Sequence, residues 1–209
     1  MTRTAPPELY QAASLLLRYP TAQLVDADRE IDAVLSGFPA IAREPLGGLL
    51  AHRREVSLLD LEREYVETFD TRRRCTLNVT YYAYGDTRRR GVALLRLKRL
   101  YAAAGLVLDS GELPDHLPLM LEFAAFAPPG HGSHVLQEHR IGLELLRLAL
   151  HADARPHAGA LDAVCGTLPR LGLRESRAIE RLVAQGPPDE QVGLEPFAPP
   201  EVMPAEARP

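Results

Sequence analysis

An apolar run that no polar face relieves places the strongest constraint on this chain. From Leu117 to Ala127 the sequence reads Leu-Pro-Leu-Met-Leu-Glu-Phe-Ala-Ala-Phe-Ala, and Glu122 is its one charged residue. A helix that is apolar all round has to be enclosed on nearly every side, so the remaining chain must supply its walls. A proline-marked polar turn, Glu112-Leu113-Pro114-Asp115-His116, leads into the run. Asp115 is placed to cap the helix: its carboxylate would accept from the Leu117 N–H and complement the helix dipole, together worth about 1 kcal/mol. Pro118 falls in the first turn, where N–H groups lack intrahelical partners and proline is harmless. A polar Asp-His step therefore stands at the mouth of a buried helix.

The walls also read as helices. Glu8 to Tyr19 is bounded by Pro6, Pro7 and Pro20. Thr21 can cap a second helix from Ala22 to about Ser36, with Gly37 closing it. Between Phe38 and Val56 the punctuation by Pro39, Pro45 and Gly47-Gly48 leaves only Leu49 to Arg54 as a short helix. Ser57 and Asp60 form a capping box, and Leu58, Leu61, Tyr65 and Phe69 share one stripe of a helix ending near Asp70. Residues 75–84 have β-branched and aromatic composition, but no second strand is available to pair with them, so they read as an irregular or short helical connection. Gly85-Asp86-Thr87 opens a long helix to Ala104, which Gly105 ends. After the break Pro128-Pro129-Gly130-His131-Gly132, Ser133 can cap a helix to about His151. Ala158 to Leu168 and Glu175 to Ala184 complete the series.

The expectation is an all-α, single-domain bundle of about eight helices. At 209 residues with 46% hydrophobic content, the chain can fill one core and need not divide. Residues 1–185 form that domain. Residues 186–209, with seven prolines, five acids and one arginine, read as a disordered Pro-rich acidic tail. Neither a signal peptide nor a membrane span is legible. Cys75 and Cys165, far apart and without metal-type spacing, fit reduced thiols of a cytosolic protein.

Charge is unevenly laid out. Glu55 to Asp70 holds six acids against one arginine, and Arg72 to Leu100 holds nine bases against one acid. The arginine triplets 72–74 and 88–90 read as solvated helix ends paired with the neighbouring acids, or as a contact surface for an acidic or phosphate-bearing partner. No nucleic-acid module or aromatic platform accompanies them.

Catalytic readings find little support. His131 and His134 sit in a turn, and no Glu-x-x-His or His-x-x-x-His pair occurs, so neither a metal nor another cofactor is expected. Asp115-His116 reverses the His-Asp order of helical metal-dependent phosphohydrolases. Neither cysteine has a recognisable base beside it. A general protein-binding adaptor remains a third class.

Three blocks carry a resemblance: Tyr65-Val66-Glu67-Thr68-Phe69-Asp70, Tyr81-Tyr82-Ala83-Tyr84-Gly85-Asp86-Thr87-Arg88, and Glu112-Leu113-Pro114-Asp115-His116-Leu117-Pro118. In this order and spacing the chain resembles the nitrate reductase delta-subunit chaperones, within the helical maturation chaperones of molybdenum oxidoreductases, over roughly Leu15 to Leu168. The acidic tail departs from that pattern. The resemblance implies a non-enzymatic cytosolic chaperone that binds the N-terminal segment of the nitrate reductase alpha (catalytic) subunit. It would hold that subunit open for molybdenum cofactor insertion, with cofactor delivery proteins as further partners, and delay membrane docking. No nucleic acid and no direct membrane insertion are expected. The peptide-binding residues it implies are Tyr65, Thr68, Phe69, Pro114, Asp115 and His116, bordering a groove for an amphipathic leader helix.

Overall fold

The computed structural model describes residues 6–108 and 111–185; the tail predicted over 186–209 lies outside the described residues. Among these, twelve α-helical segments and no extended strand are present, so the all-α expectation holds, with more breaks than the sequence suggested. The first helix, α1 (Pro7–Leu16), lies along the apolar run, α8 (Leu117–Phe126). The two are stitched by a buried bond in which the Ser14 hydroxyl donates to the Pro118 carbonyl at 2.7 Å. Thr21 does cap the next helix, accepting from the Leu24 N–H at 3.3 Å. The expected single helix is divided, however, into α2 (Ala22–Asp26) and α3 (Asp28–Leu35) around Ala27.

The largest departure is α4 (Ala40–Glu55), a continuous helix through Pro45, Gly47 and Gly48. Leu46, Leu49, Leu50 and Arg53 all turn inward at helical spacing and are buried. Burying three leucines is worth several kcal/mol, more than the ~3 kcal/mol a proline and the ~1 kcal/mol a glycine each cost a helix interior. Arg53 completes the face by pairing with Asp28 at 2.9 Å, both side chains 4% exposed. The helix α11 (Ala158–Thr167) presses so close to α4 that a Cβ on Gly159 would stand 2.1 Å from the Pro45 carbonyl oxygen.

Helix α5 (Leu58–Tyr65) is capped by the Ser57 hydroxyl as expected, then widens into a π turn over Val66–Asp70. The Thr71 N–H donates to the Val66 carbonyl at 3.1 Å, an i→i−5 bond. Residues 73–84 form a 3₁₀ turn, a short extended piece and the four-residue α6 (Tyr81–Tyr84). The extended piece finds its partner in the central turn: Val79 N–H donates to the Asp115 carbonyl at 3.0 Å and Leu117 N–H to the Leu77 carbonyl at 2.9 Å. Local propensity there is satisfied by a single antiparallel bridge, Asn78 to His116.

The basic helix α7 (Arg88–Ala103) ends at Gly105, whose φ of +79° suits glycine. The predicted helix from Ser133 to His151 is two, α9 (His131–Glu138) and α10 (Arg140–Ala152). The Ser133 hydroxyl donates to the Gly130 carbonyl and does not cap. Finally α12 (Leu173–Gln185) packs on α10. One core of leucines, alanines and a few aromatics runs through α1, α4, α8, α10 and α11. No helix among the described residues is long and apolar enough to cross a membrane.

Candidate functional site

Although α8 is apolar all round, its enclosure is incomplete. Leu117, Met120, Leu121 and Phe123 are buried, whereas Leu119, Glu122 and Phe126 face a groove of about 880 Å³. Phe126 is 63% exposed. The opposite wall is the end of α5 and its π turn, through Tyr65 and Phe69, whose rings meet at 4.9 Å. Tyr19 stacks edge-on to Tyr65 at 5.3 Å and extends that wall. Behind it, His157 contacts Phe69 at 4.9 Å. Burial, reinforced by Arg53 and His52, lowers the His157 pKa to about 3. Burial also raises the Tyr65 hydroxyl pKa, with Asp70 and Glu112 adding to it. Val107 and Leu113, both exposed, close the groove's rim on the loop after α7.

The polar groups of this groove are predominantly acidic. Asp70, Glu112 and Glu122 line it, with Arg18 joined to Glu122 at 2.5 Å. His116 lies 3.7 Å from Glu112. Its pKa is lowered by burial, against the opposing pull of Glu112 and Asp115.

Of the six residues singled out from the sequence, Tyr65, Phe69 and His116 line this groove together. Thr68, Pro114 and Asp115 do not. Thr68 is fully buried in the π turn. The Pro114 carbonyl accepts from the Tyr101 hydroxyl at 2.8 Å. Asp115 has zero exposure, and its place corrects the capping assignment: the N-cap of α8 is His116, with no side-chain cap. The Asp115 carboxylate turns inward, accepting from the Thr80 hydroxyl at 2.5 Å and the Thr80 N–H at 3.3 Å, with Arg90 at 3.4 Å. It thus fixes the central turn to α6 and α7 from behind, and His116 is the member of the pair left facing the groove.

Sequence reasoning missed Tyr19, Leu119 and Phe126. A signal existed for the last two. An all-round apolar helix bounded by one glutamate is also what a groove-lining helix looks like, and Leu119, Glu122 and Phe126 recur at i, i+3, i+7. The two arginine triplets differ in their partners: Arg72 and Arg74 reach across the fold to Asp153, whereas Arg90 does pair with the neighbouring Asp86, at 2.9 Å. Among the described residues no three His, Cys, Asp or Glu side chains gather as a metal site.

A solved structure shares this fold: the chain superposes with TM-score 0.60 on a candidate redox enzyme maturation protein from Archaeoglobus fulgidus, covering 79% of this chain and 95% of that one at 21% identity. Residues 35–162 match the family described as nitrate reductase delta subunit, and the chain belongs to that family. It is 34% identical to the probable nitrate reductase molybdenum cofactor assembly chaperone NarJ of Bacillus subtilis, over 80% of this chain and 91% of that protein. It is 29% identical to the NarJ chaperone of Escherichia coli, over 87% and 78%. It is also 37% identical to the nitrate reductase-like protein NarX of Mycobacterium tuberculosis, but there it spans only 25% of the relative's length.

Proposed function

We propose that this protein is a dedicated cytoplasmic assembly chaperone for a respiratory nitrate reductase. It binds the N-terminal segment of the catalytic alpha subunit in the α5–α8 groove while molybdenum cofactor is inserted, before membrane docking. Family membership and the NarJ relatives support the maturation role. The observation that carries peptide binding is the groove itself: Phe126, Leu119, Phe69 and Tyr65 present apolar surface beside Asp70, Glu112 and Glu122. That combination suits an amphipathic helix with basic residues along its polar side. Tyr65, Phe69 and His116 contact the leader, whereas Thr68, Pro114 and Asp115 hold the wall and turn in place. Ordering a leader on binding consumes about 2–5 kcal/mol of the gross interaction, so affinity is moderate and the client can leave once folded.

Calorimetry with a synthetic peptide of the client's N-terminal segment tests this. Binding is expected with a negative heat-capacity change. Phe126→Ala is expected to weaken it by about 1–2 kcal/mol while the melting temperature stays unchanged, because that ring is already in solvent. Undiminished affinity in Phe126→Ala, or no binding at all, would remove the groove from the reading.

A further inference from the structure

A second groove, of about 720 Å³, lies away from the first, between α7, α10 and α12. Its floor is apolar, with Val79, Leu97, Leu100 and Ile141 among the lining residues. Helix α7 is lightly docked over it: of its sixteen residues only Leu97 and Tyr101 are buried. Val92 on the rim is 70% exposed and Tyr84 40%. Six basic residues and no acid occupy α7. Arg96 is joined to Glu138 at 2.7 Å, which leaves Arg89, a lining residue, and its neighbour Arg88 in the first turn of α7 with no acidic partner among the described residues. An exposed apolar trough under a one-signed charged helix calls for a ligand that is both apolar and acidic.

The chain carries such a segment a few residues after one of the groove's own lining residues in sequence. Leu182, in the last turn of α12, is itself part of the groove wall. Residues 189–197 come soon after it, reading Asp-Glu-Gln-Val-Gly-Leu-Glu-Pro-Phe. Three acids there accompany Val192, Leu194 and Phe197, with no basic residue. The few residues after α12 span at most about 3.5 Å each, so the segment is held at an effective concentration of about millimolar.

We propose that residues 189–197 of this chain occupy the α7–α10–α12 groove, Phe197 and its apolar neighbours covering the floor and the three acids meeting Arg88 and Arg89. An external partner for this face must then displace the chain's own segment. The face is separate from the leader groove, and the assignment does not depend on it.

Disulfide trapping in the full 209-residue chain tests the assignment. Val92→Cys combined with Phe197→Cys is expected to close an intrachain disulfide about tenfold faster under mild oxidation than Ile41→Cys combined with Phe197→Cys, Ile41 being 86% exposed on α4. Adding Arg88→Glu and Arg89→Glu to the first pair is expected to bring its rate down to that of the second. Equal rates for the two pairs would overturn the proposal, as would a rate indifferent to the charge reversal. A disulfide forming only between chains would overturn it too and give the groove to a second copy.

Discussion

Asp115 shows how a residue at a functional turn can work without touching a ligand. With no exposure and its carboxylate shared by Thr80 and Arg90, it is the polar pin that lets the extended piece at Val79 lie against the turn. Removing one partner of a buried polar set strands the others. Asp115→Ala is therefore expected to lower unfolding free energy by about 1–3 kcal/mol in urea titrations, and Thr80→Val to destabilise by less; an unchanged denaturation midpoint for both would refute the pinning role. His157 makes a second residue-level case. Its imidazole, buried against Phe69 and beside Arg53, titrates near 3 in the fold, against about 6.5 in the unfolded chain. As pH falls below 6.5 the unfolded chain takes up the proton first, so stability is whole above that value and declines toward 3, by up to about 1.4 kcal/mol per pH unit. His157→Gln is expected to flatten that acid limb of the stability profile; a limb of unchanged slope would show that other groups cause it.

At the level of elements, close helix crossings fix how the bundle packs. A Cβ on Gly159 would stand 2.1 Å from the Pro45 carbonyl oxygen, and one on Gly132 would stand 2.3 Å from the Ala124 Cα. Both clash with backbone, which cannot move aside as a side chain can. Gly159→Ala and Gly132→Ala are expected to cost about 1–3 kcal/mol each, whereas Gly48→Ala, with nothing within 4 Å, should gain about 0.5–1 kcal/mol in a helix interior. Thermal melts of the three variants separate these outcomes, and a stabilised Gly159→Ala would contradict the crossing. The same elements show what the sequence could disclose. The α5 cap and stripe, the basic α7 and the Gly105 stop were legible because each is written locally, in periodicity and end signals. Helix α4 was not, since Pro45 and two glycines argue against it and the decisive term is burial of Leu46, Leu49 and Leu50 against a helix more than a hundred residues away. The π turn leaves no sequence mark. The inward turn of Asp115 depends on Thr80, whose nearness only the tertiary structure supplies.

Over the whole molecule, charge and apolar surface are divided between two grooves of opposite sign. Asp70, Glu112 and Glu122 border the first, while six basic residues run along the helix beside the second. On the proposed function, a basic leader would be steered to the first and repelled from the second, an attraction that weakens as salt shortens the screening length. His116 sits inside this acidic groove, and burial lowers its pKa below the usual histidine value, so near neutrality it adds no positive charge there. Protonation would place a cation beside the leader's own basic groups. The bound state therefore resists that proton more than the free protein does, and a group whose pKa falls on binding makes affinity drop as pH falls through the free protein's value. Leader affinity measured by calorimetry is expected to be level around neutrality and to fall once the pH drops through the lowered His116 value of the free protein, by up to about tenfold per pH unit. His116→Gln is expected to keep the neutral affinity and lose most of this decline. Were affinity instead to rise on acidification, His116 would be meeting an acidic group of the leader, and the sign of the leader's charge inferred from Asp70, Glu112 and Glu122 would be reversed.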